Sequence, residues 1–414
     1  MEQITKPHCG ARLDRLPDCR WHSSMFAIVS FGLLVCWSNA VGGLILAQLK
    51  ALGWTDNSTT ATFSAITTAG MFLGALVGGI IGDKTGRRNA FILYEAIHIA
   101  SMVVGAFSPN MDFLIACRFV MGVGLGALLV TLFAGFTEYM PGRNRGTWSS
   151  RVSFIGNWSY PLCSLIAMGL TPLISAEWNW RVQLLIPAIL SLIATALAWR
   201  YFPESPRWLE SRGRYQEAEK VMRSIEEGVI RQTGKPLPPV VIADDGKAPQ
   251  AVPYSALLTG VLLKRVILGS CVLIAMNVVQ YTLINWLPTI FMTQGINLKD
   301  SIVLNTMSMF GAPFGIFIAM LVMDKIPRKT MGVGLLILIA VLGYIYSLQT
   351  SMLLITLIGF FLITFVYMYV CYASAVYVPE IWPTEAKLRG SGLANAVGRI
   401  SGIAAPYAVA VLLS

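Results

Sequence analysis

The sequence predicts an all-α polytopic membrane protein of eleven spans in two related halves, and three observations carry that expectation. Of 414 residues, 55% are hydrophobic and 13% charged, with a mean hydropathy of +0.65, against roughly 25% charged in soluble domains. A water-soluble globule is excluded. Residues 26–49, 60–82, 112–137 and 354–378 are apolar runs long enough to cross ~30 Å of hydrocarbon at ~1.5 Å per residue. Polar landmarks of the first half then return, in order, in the second. Eleven Trp and 37 Gly fit the same class, because indoles favour the headgroup level and small residues let helices approach closely in lipid. A barrel would need many ~10-residue alternating segments, and none is present.

In chain order, residues 1–25 form a polar tail. It carries Asp14, Asp18 and four basic residues and lacks a cleavable signal pattern, so the first span acts as its own insertion signal. The first half occupies 26–201, with spans at 26–49, 60–82, 89–108, 112–138, 148–172 and 181–201. A linker follows at 202–263. Within it RYQEAEKVMRSIEEGVI places Ala218, Val221, Met222, Ile225 and Val229 on one helical face, an amphipathic helix lying under the bundle. TGKPLPPVVIADDGKAPQ reads as a flexible connector. The second half, 264–414, has spans at 264–291, 302–323, 331–348, 354–379 and 390–413.

Charge placement orients these elements. The net charge is +10, which in a soluble protein would suggest a nucleic-acid partner. Here 26 Lys and Arg fall on the side of the tail and linker, and three, Lys50, Arg181 and Lys299, fall opposite. The amino-terminus is therefore expected in the cytoplasm, and attraction to the anionic bilayer accounts for the surplus without nucleic acid. The cysteines Cys9, Cys19, Cys36, Cys117, Cys163, Cys271 and Cys371 lie in the tail or within spans, so no disulfide is expected. Cys9, Cys19 and His22 match no zinc spacing. Neither a metal nor a cofactor is expected, and a monomer is. Asn57-Ser58-Thr59 fits a glycosylation sequon, but its loop lies too close to the membrane to be modified.

The repeat is the most informative pattern. GDKTGRR at 82–88 recurs as MDKIPRK at 323–329, and FTEYMPGRNRG at 136–146 recurs as VPEIWPTEAKLRG at 378–390. Asp83 and Asp324 are 241 residues apart, Glu138 and Glu380 242, Pro141 and Pro383 242, and Gly146 and Gly390 244. One offset governs all four, which defines two six-helix pseudo-repeats of parallel topology. Because Arg145 leads to Pro203 over 58 residues and one complete span, the second half is expected to reach about residue 447. The sequence stops at Ser414, so the twelfth helix is expected to be missing from it.

These motifs resemble a known family over essentially the whole chain. GDKTGRR resembles the signature of the major facilitator superfamily, and PESPRWL at 203–209 that of its sugar-porter branch; RFVMGVGLG at 118–126 and VPEIWPTEAKLRGSG at 378–392 complete the set. The resemblance, to bacterial inner-membrane metabolite transport proteins of that branch, implies a twelve-helix fold, alternating access and usually proton coupling.

Loop chemistry suggests a latch. Asp83 and Asp324 end the second and eighth spans, where a carboxylate can sit near the positive amino-terminal end of another helix. Arg87, Arg88, Arg328 and Lys329 offer counter-charges to Glu138 and Glu380, Arg145 and Arg389 open the following spans, and Glu204 and Arg207 can join the cluster. Such contacts are expected only when the inner face is closed. Solvated loops that merely enforce topology are the alternative. The one-turn glycines of span two (Gly70, Gly74, Gly78, Gly79) and span four (Gly122, Gly124, Gly126) predict close helix contact.

The intramembrane polar residues outline a cavity, since such groups must face the bundle interior. Candidates for binding are Asn39, Arg118, Asn157, Gln280, Tyr281, Asn285, Trp286, Tyr369, Tyr372, Asn395 and Arg399, with Trp158, Asn305, Tyr367 and Ser374 nearby. Pro288 offers a kink. Amides and phenols beside indoles suit a small polyhydroxy or carboxylate solute. Both arginines can instead bond carbonyls between helices. Glu95 and His98 share a turn of span three, a peripheral helix in the family. Proton-coupled sugar porters place an Asp in span one near the span-four Arg, whereas here that span has no acid. Coupling then falls to Glu95, or transport is uncoupled or of exchange type, or a substrate carboxylate partners Arg118. The function expected is secondary transport of an organic anion, sugar acid or sugar. An enzyme lacks its convergent nucleophiles and acids, and a non-transporting nutrient sensor on the same fold is the rival reading.

Overall fold

The computed structural model describes residues 7–17, 19–36, 39–141, 145–240, 253–323, 325–383 and 386–412. Within these, the side chains of Phe133, Ala134, Thr137, Arg145, Tyr254, Thr293, Lys387 and Leu388 fall outside the description. The described chain is helical and contains no strand. It begins with α1 (Cys9–Asp14), α2 (Arg20–Val35), α3 (Gly42–Ala51), α4 (Asn57–Thr85), α5 (Arg87–Ala106) and α6 (Met111–Tyr139). It continues with α7 (Arg145–Asn157), α8 (Ser159–Leu170), α9 (Ala176–Tyr201), α10 (Pro206–Ser211) and α11 (Tyr215–Thr233). The second half holds α12 (Tyr254–Leu257), α13 (Gly260–Thr293), α14 (Leu298–Met309), α15 (Gly311–Val322) and α16 (Arg328–Ser347). Last come α17 (Met352–Val370), a π-helical turn (Cys371–Tyr377), α18 (Val378–Glu380) and α19 (Lys387–Leu412).

Among the described residues nine helices are long and apolar enough to cross a membrane, α14 and α15 being one of these. The first and fifth expected spans are each divided, into α2 with α3 and α7 with α8. Proline explains two of the interruptions. Pro161 has no N–H for the Asn157 carbonyl and Pro313 none for that of Met309, so the helix steps at Trp158 and at Phe310. In span ten, Pro379 cannot donate to the Ala375 carbonyl, and the ladder widens into the π turn just before it. Asn110 and Asp56 start α6 and α4 by accepting the amides of Phe113 at 2.9 Å and Thr59 at 2.7 Å.

Two helices of the first half press together backbone to backbone. A Cβ added at Gly74 would collide with the Val123 backbone and one at Gly126 with that of Met71, so α4 and α6 meet without side chains between them. The halves contact each other where α3 meets α13, α4 meets α19, and α7 and α8 meet α15 and α14. On the face away from the tail this contact is tight. Gly43 lies against the backbone of Ile284 and Asn285, and Ala61, Trp286 and Ala410 form a small buried cluster.

The tail and linker make a separate small core. Ala218, Met222, Ile225 and Val229 of α11 pack with Trp208 and Leu209 of α10 and with Cys9, Leu13 and Leu16 of the tail. Polar groups clamp the edges. Arg12 bonds Glu226 at 2.7 and 3.0 Å and also pairs with Glu219; Arg15 bonds Glu226 at 2.6 Å; Arg207 bonds Asp14 at 2.9 Å.

Candidate functional site

A cavity of about 250 Å³ lies between the halves. Its wall combines Leu33, Cys36 and Asn39 of span one with Asn157 and Tyr160 of span five, Gln280 and Tyr281 of α13, and Arg399 of α19; Met71, Leu125 and Leu129 add apolar surface. These positions run from the middle of the bundle toward the tail face, while the opposite side is sealed by the Gly43 and Trp286 contacts. The broken first and fifth spans both contribute. Asn39 follows the end of α2, and Asn157 ends α7 with its amide donating to the Ser153 carbonyl at 2.8 Å, which leaves its oxygen for the cavity.

Of the eleven residues expected to bind a solute, Asn39, Asn157, Gln280, Tyr281 and Arg399 line this cavity. The other six lie elsewhere. Arg118 is 2% exposed; its guanidinium stacks 4.6 Å over the Phe63 ring and its Nε donates to Thr67 Oγ1 at 3.3 Å. Asn285 and Trp286 are buried at the contact of spans one, two and seven. Tyr369 donates to the Val272 carbonyl at 3.3 Å, and Tyr372 packs on Gly332 while stacking on Tyr377. Asn395 is exposed and bonds the Ser391 carbonyl. The cavity also includes residues the sequence did not single out, above all Tyr160 and Cys36. Tyr160 sits one residue before Pro161, where the proline step turns it inward, a signal readable only once the break is known.

At the tail face, Arg87 bonds Asp83 at 2.7 Å and Glu138 at 2.9 Å. Glu204 accepts the backbone amides of Arg87 at 2.7 Å and Arg88 at 3.2 Å, so it is Glu204, rather than Asp83, that sits at the positive end of α5. The Arg88 guanidinium donates to the Trp199 carbonyl. In the second half Arg328 bonds Glu380 at 2.9 and 3.0 Å. Asp324 and the Arg145 side chain lie outside the described residues, and Arg389 occupies the first turn of α19. The expectation that these contacts require a closed inner face needs correction on one point. Arg87 finds Asp83 and Glu138, and Arg328 finds Glu380, within its own half, so these pairs form without the other half approaching.

Although span three was expected to be peripheral, its Glu95 and His98 are both fully buried, facing Cys36 at the end of α2.

Comparison with known proteins agrees with this architecture. The model of the Major Facilitator Superfamily matches residues 26–406. The chain is 45% identical, over 417 residues, to the inner membrane metabolite transport protein YdjE of Escherichia coli (strain K12), covering 100% of this chain and 91% of that protein. It is 25% identical to the niacin transporter NiaP of Acinetobacter baylyi (strain ATCC 33305 / BD413 / ADP1), over 96% of this chain and 89% of that one. Among solved structures it is similar to the xylose transporter XylE from E. coli in a partially occluded inward-open conformation. The TM-score is 0.72 at 17% identity, covering 95% of this chain and 92% of that one.

Proposed function

We propose that this chain, which belongs to the Major Facilitator Superfamily and is an integral membrane transporter of small metabolites, carries a small organic carboxylate held by Arg399. One observation supports the choice. Among the described lining residues Arg399 carries the only formal charge, and it makes no hydrogen bond or ion pair with another described residue. A guanidinium in the bilayer interior costs at least ~2.5 kcal/mol even on the lenient insertion scale. A carboxylate offsets that cost through two parallel N–H···O bonds. Asn39, Tyr160 and Gln280 then supply neutral donors around the rest of the solute, and Asn157 offers its carbonyl oxygen. The niacin transporter NiaP, whose named solute is a pyridine carboxylic acid, is a relative consistent with this class.

A neutral sugar is the second reading. It draws on Gln280, Asn285 and Trp286, yet two of those three are buried away from the cavity. The described wall also holds no acid, so exchange of one anion for another fits this site better than a proton-binding carboxyl on span one. The tail and linker face the cytoplasm of a bacterial inner membrane in this reading, as the charge bias requires.

Binding and uptake in proteoliposomes test the substrate class, with nicotinate and D-glucuronate as carboxylate probes and D-xylose as the neutral one. Arg399→Gln is expected to weaken carboxylate binding about 10- to 100-fold, the loss of a charge-assisted pair of roughly 1.5–3 kcal/mol, and Arg399→Lys to recover part of it. Saturable D-xylose uptake indifferent to both carboxylates and to Arg399→Gln rejects the assignment.

A further inference from the structure

Three donor side chains converge at the edge of the cavity, and the transport reading uses none of them. Glu95 and His98 stand one turn apart on α5 and are both 0% exposed. This Glu-x-x-His spacing is the one by which helical bundles turn a carboxylate and an imidazole inward toward a metal centre. Cys36 caps the end of α2 with its Sγ 3.8 Å from Glu95 Oε1, while Glu95 Oε2 lies 3.5 Å from His98 Nδ1. All three donor atoms fall within 4.8 Å of one another. A tetrahedral ion with bonds of ~2.0–2.3 Å needs its donors roughly 3.3–3.8 Å apart, so modest side-chain adjustment suffices. The His98 backbone is fixed from behind, since a Cβ at Gly124 of α6 would approach its nitrogen to 3.0 Å. Access exists as well, because Cys36 itself lines the cavity.

The chemistry of the donor set narrows the ion. Thiolate with imidazole and carboxylate selects zinc-type ions, whereas magnesium and calcium prefer all-oxygen shells.

We propose that Cys36, Glu95 and His98 bind one zinc-type divalent cation, with its fourth coordination position open to the cavity. The ion ties the end of α2, where the first span breaks, to α5. Cobalt(II) reports this directly, because a thiolate ligand adds a charge-transfer band that oxygen and nitrogen ligands do not. The chelator-treated protein in detergent, carrying Cys19→Ser to remove the tail's own thiol–imidazole pair at 3.4 Å, is titrated with cobalt(II) and then with zinc(II). One equivalent of cobalt with a thiolate band that zinc abolishes is the expected result. Cys36→Ser should remove the band, and Glu95→Gln should weaken cobalt binding by more than the roughly 10- to 100-fold typical of outer-shell partners. Gel-filtration elution matching the parent confirms that each variant is folded. Absence of the band from the parent, or its survival in Cys36→Ser, overturns the proposal.

Discussion

At the scale of single residues, Gly86 shows how a family motif encodes a position that only one side chain fits. Its φ is +97°, a region that L residues adopt at a cost, and a Cβ there would collide with the Glu204 carboxylate. Glu204 would have to move off the Arg87 and Arg88 amides, uncapping α5. Gly86→Ala is therefore expected to destabilise the protein by about 1–3 kcal/mol, read as a lowered Tm in detergent. Gly79→Ala in the same segment has open space around its Cβ and should be neutral or slightly stabilising, since Ala is favoured over Gly in a helix by up to about 1 kcal/mol. An equal Tm change for both would refute this account. The motif itself was legible in GDKTGRR. PESPRWL also placed Glu204 in the same cluster, but its seat on the Arg87 and Arg88 amides was not readable, because Glu204 lies 117 residues away from Arg87 and periodicity carries no information about such pairings. The same limit applies to Arg118 and Arg399, two intramembrane arginines of identical chemistry. Phe63 and Thr67 enclose the first, while the second lines the cavity.

At the scale of elements, spans two, three, four, six, seven, nine and eleven were readable to within a few residues because their apolar runs are uninterrupted. The divided spans were readable only in outline, although Pro161 and Pro313 mark where the ladder loses a donor. The least legible element is α1, whose apolar contacts Cys9 and Leu13, with Leu16 just beyond it, are too sparse to announce a helix docked on α11. This clamp should respond to pH. Burial works against the Glu226 and Glu219 carboxylates, but hydrogen bonds from Arg12, with Arg15 and Arg223, hold both below the usual range. Carboxylates with depressed folded values stabilise the docked form above about 4.3, the unfolded glutamate value, and that contribution disappears as pH falls through the lower folded values. Pepsin cleavage between residues 8 and 20 should thus be slow at pH 5 and accelerate below about pH 4. Arg12→Ala should already be cut quickly at pH 5. Unchanged cleavage in that variant would show that the apolar contacts alone hold the tail.

At the scale of the whole molecule, one repeated offset predicted two halves, and the cavity lies at their interface. What the offset could not predict is which side of that interface is closed, because closure depends on contacts between halves that share no local pattern. Here the side away from the tail is closed by α3 against α13, with Gly43 pressed onto the backbone of Ile284 and Asn285. The ion pairs of Arg87 and Arg328 lie within their own halves, so in an alternating-access cycle the inter-half seal would be the element whose equilibrium decides access. A larger residue at Gly43 cannot share that space, and the seal must part to accommodate it. Gly43→Leu should therefore shift the population toward a cavity open on the far side. A cysteine placed at Asn157, in the cavity wall, in a chain carrying Cys36→Ser reports this shift. In proteoliposomes of known orientation, a membrane-impermeant thiol reagent added at the face away from the tail should label it slowly in the parent. With Gly43→Leu the rate should rise at least about tenfold, which corresponds to ~1.4 kcal/mol of bias between the two states. Labelling from the tail face should fall in the same variant, because a cavity that alternates cannot gain access on one side without losing it on the other. Equal gains from both faces would indicate a leak through a damaged bundle, and no change from either would show that Gly43 is not part of the seal.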